Sequence, residues 1–478
     1  MLVVISDLHF EEEKSRNIPG DGVHEAIRAP RNIHLKAFTK VFGRLAEQAR
    51  RDKAKRMDLV LDGDIFELHR TALWFRGNPH GVRPYVSAAE VDPNLEAKLL
   101  EILHAINAPD DSAWDVLAAF RRLNQEGTFV DENGKEREFP VPVKVHYLPG
   151  NHDRLADSTP AIRRTIRQFL GLSSSAAPFR HVLTFREERA LIRHGHEYDR
   201  FNFPLDLRQD EVVPLSLPRQ AYGEATIGDF ITAEVASGIG EIYREYHQDE
   251  RIVRDPLLRR VYERILAFDD LRPLHTIPNF LLYMPESGYT PEQIWHGAIR
   301  PVMHILLEKI HQHPFLVGCL DKMDRRNWPD PVDVVQGALS QRVWEWQIWD
   351  RNPLSLEMVQ LLSKRLIGLH REEPGPETLA AREESVLEGE ALFVVCGHTH
   401  TPAVRLIGKQ PAGEQYYVDT GTWRQQIPAA PGYTRFGRVK ALTYAVIYGP
   451  HEDLGRPPQV GKVASLDYWS GVTQRWCR

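Results

Sequence analysis

Five short apolar runs punctuate this chain, and each one ends in a cluster of Asp, His or Asn. Leu2-Val3-Val4-Ile5 leads to Asp7 and His9, and Leu59-Val60-Leu61 leads to Asp62, Asp64 and Glu67. Lys144-Val145-His146-Tyr147-Leu148 runs into Gly150-Asn151-His152-Asp153. Ala190-Leu191-Ile192 is followed by His194-Gly195-His196, and Ala391 to Val395 by Gly397-His398-Thr399-His400. Short apolar runs bounded by Gly read as buried strands. Between them the period changes. Phe38, Val41, Phe42, Leu45 and Ala49 share one helical face, which predicts a crossover helix between the first two strands. Thr159-Pro160, then Ile162, Ile166 and Phe169, then Gly171, reads as an N-cap, a proline in the first turn, an apolar stripe and a C-terminal glycine. Strands alternating with helices predict an α/β fold with a mixed or parallel sheet, and polar residues at the strand ends mark its ligand edge.

Two stretches interrupt the alternation. Residues 70–140 hold a Gly/Pro-rich piece from Arg76 to Pro84 and predict helices near 95–106 and 112–123. Residues 201–390 are dominated by helical periodicity, with Val302, Ile305, Leu306 and Ile310 as one stripe and Leu356, Val359, Leu362 and Leu366 as another. This organisation predicts a core made of 1–200 and 391–478, with 201–390 as a helical insertion or cap. Residues 371–390 carry seven Glu and two Arg, a net of −5, and read as a solvated linker. Tyr416-Tyr417-Val418 and Leu442 to Tyr448 have strand composition and read as the last strands of the core, before an irregular tail.

Composition narrows the function classes. A length of 478 residues allows ~three domains, or one enlarged domain carrying an insertion. The net charge of −6 gives no strong nucleic-acid signal. Cys319, Cys396 and Cys477 are far apart and form no CxxC, so neither a disulfide framework nor a thiolate zinc cluster is expected, and a reducing, cytoplasmic location fits. The N-terminal run lacks a basic lead-in and a long apolar stretch, which argues against a signal peptide, and no apolar run approaches a membrane span. A P-loop is not expected either, because Val463 follows Lys462 and the glycine spacing is wrong. In the insertion, Trp344, Trp346 and Trp349, flanked by Arg342 and Arg351, do not share a helical face. They read as packed core rather than a base-stacking platform.

The strand-end residues Asp7, His9, Asp64, Asn151, His194, His398 and His400 comprise three oxygen donors and four imidazoles. If they converge they can hold two divalent ions, and the mixture of carboxylate and imidazole suits Mn, Fe or Zn better than Mg or Ca. In Asp7-x-His9 and His398-x-His400, alternate residues of an extended segment point the same way, so each pair can aim into one cavity. Gly63, Gly150, Gly195 and Gly397 sit beside these residues and permit close backbone approach.

Five motifs, in this order, resemble the calcineurin-like metallophosphoesterase superfamily: Asp7-Leu8-His9, Gly63-Asp64-Ile65-Phe66-Glu67, Gly150-Asn151-His152-Asp153, His194-Gly195 and Gly397-His398-Thr399-His400. The resemblance covers roughly 1–200 and 391–450 and leaves 201–390 unexplained. It implies a two-sheet αββα sandwich with a two-metal centre at the strand ends. It also implies that Asp7, His9 and His400 hold one ion, that Asn151, His194 and His398 hold the other, and that Asp64 bridges them. His196 ranks below His194 because the family's ligand precedes this glycine. The chemistry implied is hydrolysis of a phosphomonoester or phosphodiester by a metal-bridging hydroxide. His152 is then the general acid and Asp153 the carboxylate that orients its ring. Glu67 stands where the family often has Asp, which leaves it a supporting role. Arg154 and Arg424 are candidate phosphate contacts, and Asp419, Thr420 and Thr422 are candidate supports of the site. The Gly-Asp-Ile-Phe-Glu motif also looks like the second motif of the UDP-diacylglucosamine pyrophosphohydrolases of lipid A synthesis, although this chain is much longer. A nuclease of the same superfamily is a further alternative, and a non-catalytic helical interaction module on a metal-bearing scaffold is the contrasting class.

Overall fold

The computed structural model describes residues 1–28, 30–272, 276–310, 313–324, 375–452 and 464–473. The Trp344, Trp346 and Trp349 group with Arg342 and Arg351, the Leu356 to Leu366 stripe, Lys462 and Cys477 lie outside them. The strands, in chain order, are β1 (Leu2–Ile5), β2 (Met57–Asp62), β3 (Thr128–Val130), β4 (Glu136–Glu138), β5 (Val143–Leu148), β6 (Val182–Phe185) and β7 (Ala190–Arg193). They continue with β8 (Leu271–Arg272), β9 (Phe393–Cys396), β10 (Ala403–Gln410), β11 (Gly413–Asp419), β12 (Gln425–Pro428), β13 (Val439–Tyr448) and β14 (Ser465–Thr473). The fold is mixed α/β. One large sheet runs β5-β2-β1-β13-β12-β8, with β14 also paired to β13; a second runs β10-β11-β9-β7-β6; β3 and β4 form a separate hairpin.

Four of the five apolar runs, β1, β2, β7 and β9, are strands buried on both faces, while β5 exposes Lys144. In β1, Leu2 and Val4 point between the two sheets, where they join Val60, Leu148, Ile192, Phe393, Val395, Ala445 and Ile447. Val3 and Ile5 point the other way, into a core shared with helices α1 (Leu35–Arg51), α2 (Pro93–Ile106), α3 (Ser112–Gln125) and α4 (Pro160–Leu170). On the far side of the second sheet, Leu191, Val394 and Tyr417 pack on Ala380 and Val386. Alternation with period two thus yields two apolar faces per strand, which is why the sequence shows continuous runs. Helix α4 begins as its sequence predicts: Thr159 accepts a hydrogen bond from the Ile162 amide, Pro160 sits in the first turn and Gly171 closes the helix in a left-handed conformation.

Register sets the site. Strands β1, β2 and β5 are parallel, with Ile5 opposite Leu61 and Asp62 opposite Leu148, so their C-terminal ends lie level. In the second sheet β7, β9 and β11 are parallel, with Ile192 opposite Val395 and Cys396 opposite Asp419. Residues one to four past each of these strand ends therefore meet along one edge.

Helices between 227 and 324 build a separate apolar cluster that also takes in Ile18, Ile27, Tyr85 and Ile427. Within it Val302, Leu306 and Ile310 are buried and Ile305 half-buried, the face the periodicity predicts. The acidic stretch is not wholly solvated. Glu383, between two short helices, is fully buried and holds Arg193 of β7, Nε to Oε1 at 3.1 Å. Arg193 also donates to the carbonyls of Pro214 (3.2 Å) and Leu215 (3.0 Å), so one guanidinium ties residues 213–222 and 383 to the strand that precedes His194. No helix among the described residues is long and apolar enough to cross a membrane.

Removing one partner of a buried ion pair strands the other charge, a loss of about 3–5 kcal/mol. Burial raises the Glu383 carboxyl to about 7 even though Arg193 pulls it down. Arg193→Ala should therefore lower the urea midpoint by a corresponding amount, and an unchanged midpoint would show that the clamp carries no stability.

Candidate metal centre

The residues at the strand ends converge. Asp7 Oδ1 lies 3.2 Å from His400 Nε2 and 3.7 Å from His9 Nε2, and the two imidazole nitrogens are 2.9 Å apart. Asp64 Oδ2 lies 3.2 Å from His194 Nε2 and 3.8 Å from His9 Nε2, between the two groups. His398 Nδ1 and Asn151 Oδ1 are 3.0 Å apart. Two sets of three, Asp7 with His9 and His400, and Asp64 with His194 and His398, each bring their donor atoms within 4.8 Å of one another and could hold a metal ion.

The spacing of these donors is also compatible with a cation. Neighbouring ligands of an octahedral ion with bonds of ~2.1 Å are ~3 Å apart, which is the spacing seen here. His194 Nδ1 is committed to the carbonyl of Asp62 at 2.7 Å, leaving Nε2 buried without a hydrogen-bond partner. A ring nitrogen whose opposite nitrogen is anchored to a carbonyl or carboxylate is the arrangement of metal-ligating histidines.

The backbone is distorted to bring these groups together. Asp7, His9, Asp64, His398 and His400 all have positive φ, from 43° to 70°, and account for five of the nine described non-glycine residues that do. Such conformations cost of order 1–3 kcal/mol each and persist where the surroundings impose them. Gly397 is needed for close approach: a Cβ there would lie 2.2 Å from Asp7 Oδ2 and 2.3 Å from Ser6 Oγ. At Gly63, with φ +75°, a Cβ would meet His194 Nδ1 at 2.3 Å.

Electrostatics follow from this crowding. Burial opposes the charge on Asp7, yet hydrogen bonds to His400 and His9 hold its carboxyl well below the ordinary range. Asp64 is likewise lowered against burial, chiefly by His194 and His152. His400 is pushed down to about 3 by burial and by Arg272, whose guanidinium contacts His400 Nδ1. His152 is held up at about 9, because Glu67 and Asp64 outweigh its burial.

His152 sits at the rim, its side chain 22% exposed, while its amide donates to Asp64 Oδ1 at 2.8 Å. Its ring is oriented by Glu67, not by Asp153. Glu67 is fully buried and bifurcates, Oε1 to His152 Nδ1 at 3.0 Å and Oε2 to His9 Nδ1 at 3.1 Å. Asp153 points the opposite way from its neighbour, into the turn. It accepts from the amides of Gly150 (2.6 Å), Ile65 (3.0 Å), Phe66 (3.2 Å) and Asp64 (3.3 Å) and from the Tyr147 hydroxyl (2.8 Å). The expected Asp153–His152 pair is thus replaced by a carboxylate that staples two ligand-bearing loops together.

Neither candidate phosphate contact faces an open cleft. Arg154 is buried and donates to Asp229 at 2.8 Å and to the carbonyls of Gly223 and Pro84. Arg424 is buried beside Asp270, at 3.3 Å, in a network with Arg31. A lone Arg after a ligand motif reads as a phosphate contact; here both are neutralised by acids from the region 201–390. His196 is buried against Phe203 and Tyr222, and burial lowers it to about 4; it belongs to neither donor set. Thr420 Oγ1 meets Ser6 Oγ at 2.7 Å, Thr422 Oγ1 donates to the Asp7 carbonyl at 2.9 Å, and Asp419 accepts from Thr399 Oγ1 at 2.7 Å, so these three brace the first and last motifs. Sequence reasoning missed Asp199, Asn202, Asp229 and Arg272, which lie between the fourth and fifth motifs and carry no periodic or spacing signal. Set against protein-family models, curated proteins and solved structures, the chain matches none.

Each buried amide left without an acceptor costs about 1–3 kcal/mol. Asp153→Ala should therefore act chiefly on stability, lowering the unfolding free energy by at least ~2 kcal/mol. A fully stable Asp153→Ala protein in a denaturant titration would contradict the stapling role.

Proposed function

We propose that this chain is a hydrolase of phosphate esters that works with two divalent metal ions, in a two-sheet αββα sandwich of the calcineurin-like type. The observation that carries the reading is the convergence of Asp7, His9, Asp64, His194, His398 and His400 beside a rim histidine. Asp7, His9 and His400 would hold one ion, Asn151, His194 and His398 the other, with Asp64 between them. Mn, Fe or Zn suits this donor set. When bound, such a pair of ions supplies Lewis-acid stabilisation of phosphoryl charge and a hydroxide at neutral pH.

The protein's own residues do the rest. Glu67 holds the His152 ring by Nδ1, which leaves Nε2 to carry a proton toward the rim. Protonated His152 can donate to a departing alkoxide, and the buried Glu67 carboxylate supports the cationic ring before transfer. Burial opposes the charge on Glu67, but His152 and His9 keep it ionised, well below the usual range. Asp64 accepts the His152 amide, so the carboxylate that would lie between the ions is tied to the loop that carries the acid. The non-catalytic reading loses ground because all seven ligand positions and the rim histidine are present together.

Two measurements test this. Asp64→Asn, or removal of metal by a chelator, should abolish hydrolysis of an aryl phosphodiester while circular dichroism stays unchanged; full activity in either case would refute the proposal. General-acid catalysis contributes ~10²–10⁴-fold. His152→Gln should therefore lose about that much kcat on an alkyl phosphoester and far less on a p-nitrophenyl ester, whose leaving group needs no proton. Equal losses on both would remove His152 from that role.

A further inference from the structure

Four side chains beside the centre close a ring of contacts. Asn151 Nδ2 donates to Asn202 Oδ1 at 3.2 Å, and Asn202 Nδ2 donates to Asp199 Oδ2 at 2.7 Å. The same Asp199 oxygen faces His398 Nε2 at 2.9 Å, and His398 Nδ1 faces Asn151 Oδ1 at 3.0 Å. Three of these contacts have a donor and an acceptor. With His398 neutral, the fourth does not. Asp199 can only accept, so it takes the proton of His398 Nε2 and leaves a lone pair on Nδ1. Asn202 takes the amide of Asn151 and leaves its carbonyl oxygen facing that lone pair. Two lone pairs held ~3 Å apart are neighbouring positions on the shell of one cation.

We infer that Asp199 and Asn202 are positioning residues that set the polarity of His398 and Asn151, so that both present lone pairs to the same ion. The inference rests on the functional reading above and adds the residues that assemble one of its two ion sites. It also gives the start of 201–390 a role. Asp199 itself is fixed by the Phe201 amide at 2.8 Å, and the Phe201 carbonyl accepts from the Gly228 amide at 3.0 Å. Gly228 is pressed so close that a Cβ would lie 2.2 Å from Asn202 Oδ1. Thr226 and Asp229 form a reciprocal cap around this turn, and Asp229 in turn holds Arg154 and His69 at 2.8 and 3.1 Å. One turn at the start of the helical region thus backs the ring on one side and the segment after His152 on the other.

The test is calorimetric titration of the full chain with Mn2+ alone, without substrate. Wild type should bind in two steps. Loss of an outer partner of a metal ligand typically costs ~10–100-fold in affinity. Asp199→Ala and Asn202→Ala should weaken one step by that factor and leave the other within about twofold. Asn202→Asp decides between positioning and packing: it conserves volume and the acceptor toward Asn151 but replaces the donor toward Asp199 with a second carboxylate. It should lose the same step, whereas a packing role leaves it like wild type. Should either alanine variant fail to fold, Asn202→Asp alone decides. Two unchanged steps in Asn202→Asp, or equal weakening of both steps, overturns the inference and leaves the functional reading standing. A wild-type chain that binds none of Mn2+, Fe2+ and Zn2+ overturns both.

Discussion

The structure depends on crowding buried polar side chains from distant segments into one place. Four imidazoles, two carboxylates and an amide oxygen meet there, in groupings that could hold a metal ion. The fold must supply the convergence from outside. Level strand ends in two sheets do most of it: Asp7, Asp64 and Asn151 follow one sheet, His194, His398 and His400 the other. The left-handed backbone at five of these residues is where the chain absorbs the remaining mismatch. Glycine at 397 lets the loop of one sheet touch the Asp7 carboxylate of the other without a side chain between them.

A shell of paired charges surrounds the cluster. Glu67 serves the imidazoles of His9 and His152, Asp62 serves His194 through its carbonyl, and Asp199 serves His398. Behind His400, Arg272 donates to the carbonyls of Asp269 and Leu271, next to a buried network in which Arg31 and Arg424 meet Asp270 and Arg31 also meets Glu11. Arg272 lies on β8, a two-residue strand that the helical region adds to the edge of the first sheet by pairing with β12. That region therefore does more than cover the core. Through Asn202 at its entry, and through Asp229 and Arg272, it places charge and hydrogen bonds against three of the site's loops.

The divide between what the sequence discloses and what it conceals follows the range of the interactions. Apolar runs and helical stripes are local, and β1, β2, β5, β7, β9 and α1 to α4 lie where the pattern puts them. The donor residues were legible because each follows its own strand at short spacing. The roles of Asp199, Asn202, Asp229 and Arg272 depend on contacts across tens to hundreds of residues, and nothing near them marks the partner. Glu383 misled for the same reason: a Glu-rich stretch carrying two prolines reads as solvated, and only the distant Arg193 makes one member of it a buried ion-pair partner. Strand β10 is weakly apolar, with Arg405, Leu406 and Lys409 facing solvent, and it left little pattern to find.

The exchange of roles between Asp153 and Glu67 has a geometric origin. Adjacent residues in a tight turn project in different directions, so the carboxylate next to His152 in sequence is directed at backbone amides while the ring turns outward. A carboxylate can support the ring only by reaching it from another segment. Glu67 does so from the loop after β2 and can serve two imidazoles because its oxygens diverge. Its own loop holds it there, since Oε1 also accepts the Arg70 amide at 2.9 Å. An Asp at this position would withdraw the carboxylate by ~1.5 Å, about one C–C bond, from contacts already near 3 Å. The longer side chain is thus what allows a single buried acid to orient both a candidate metal ligand and the candidate proton donor, and it ties the geometry of the two together.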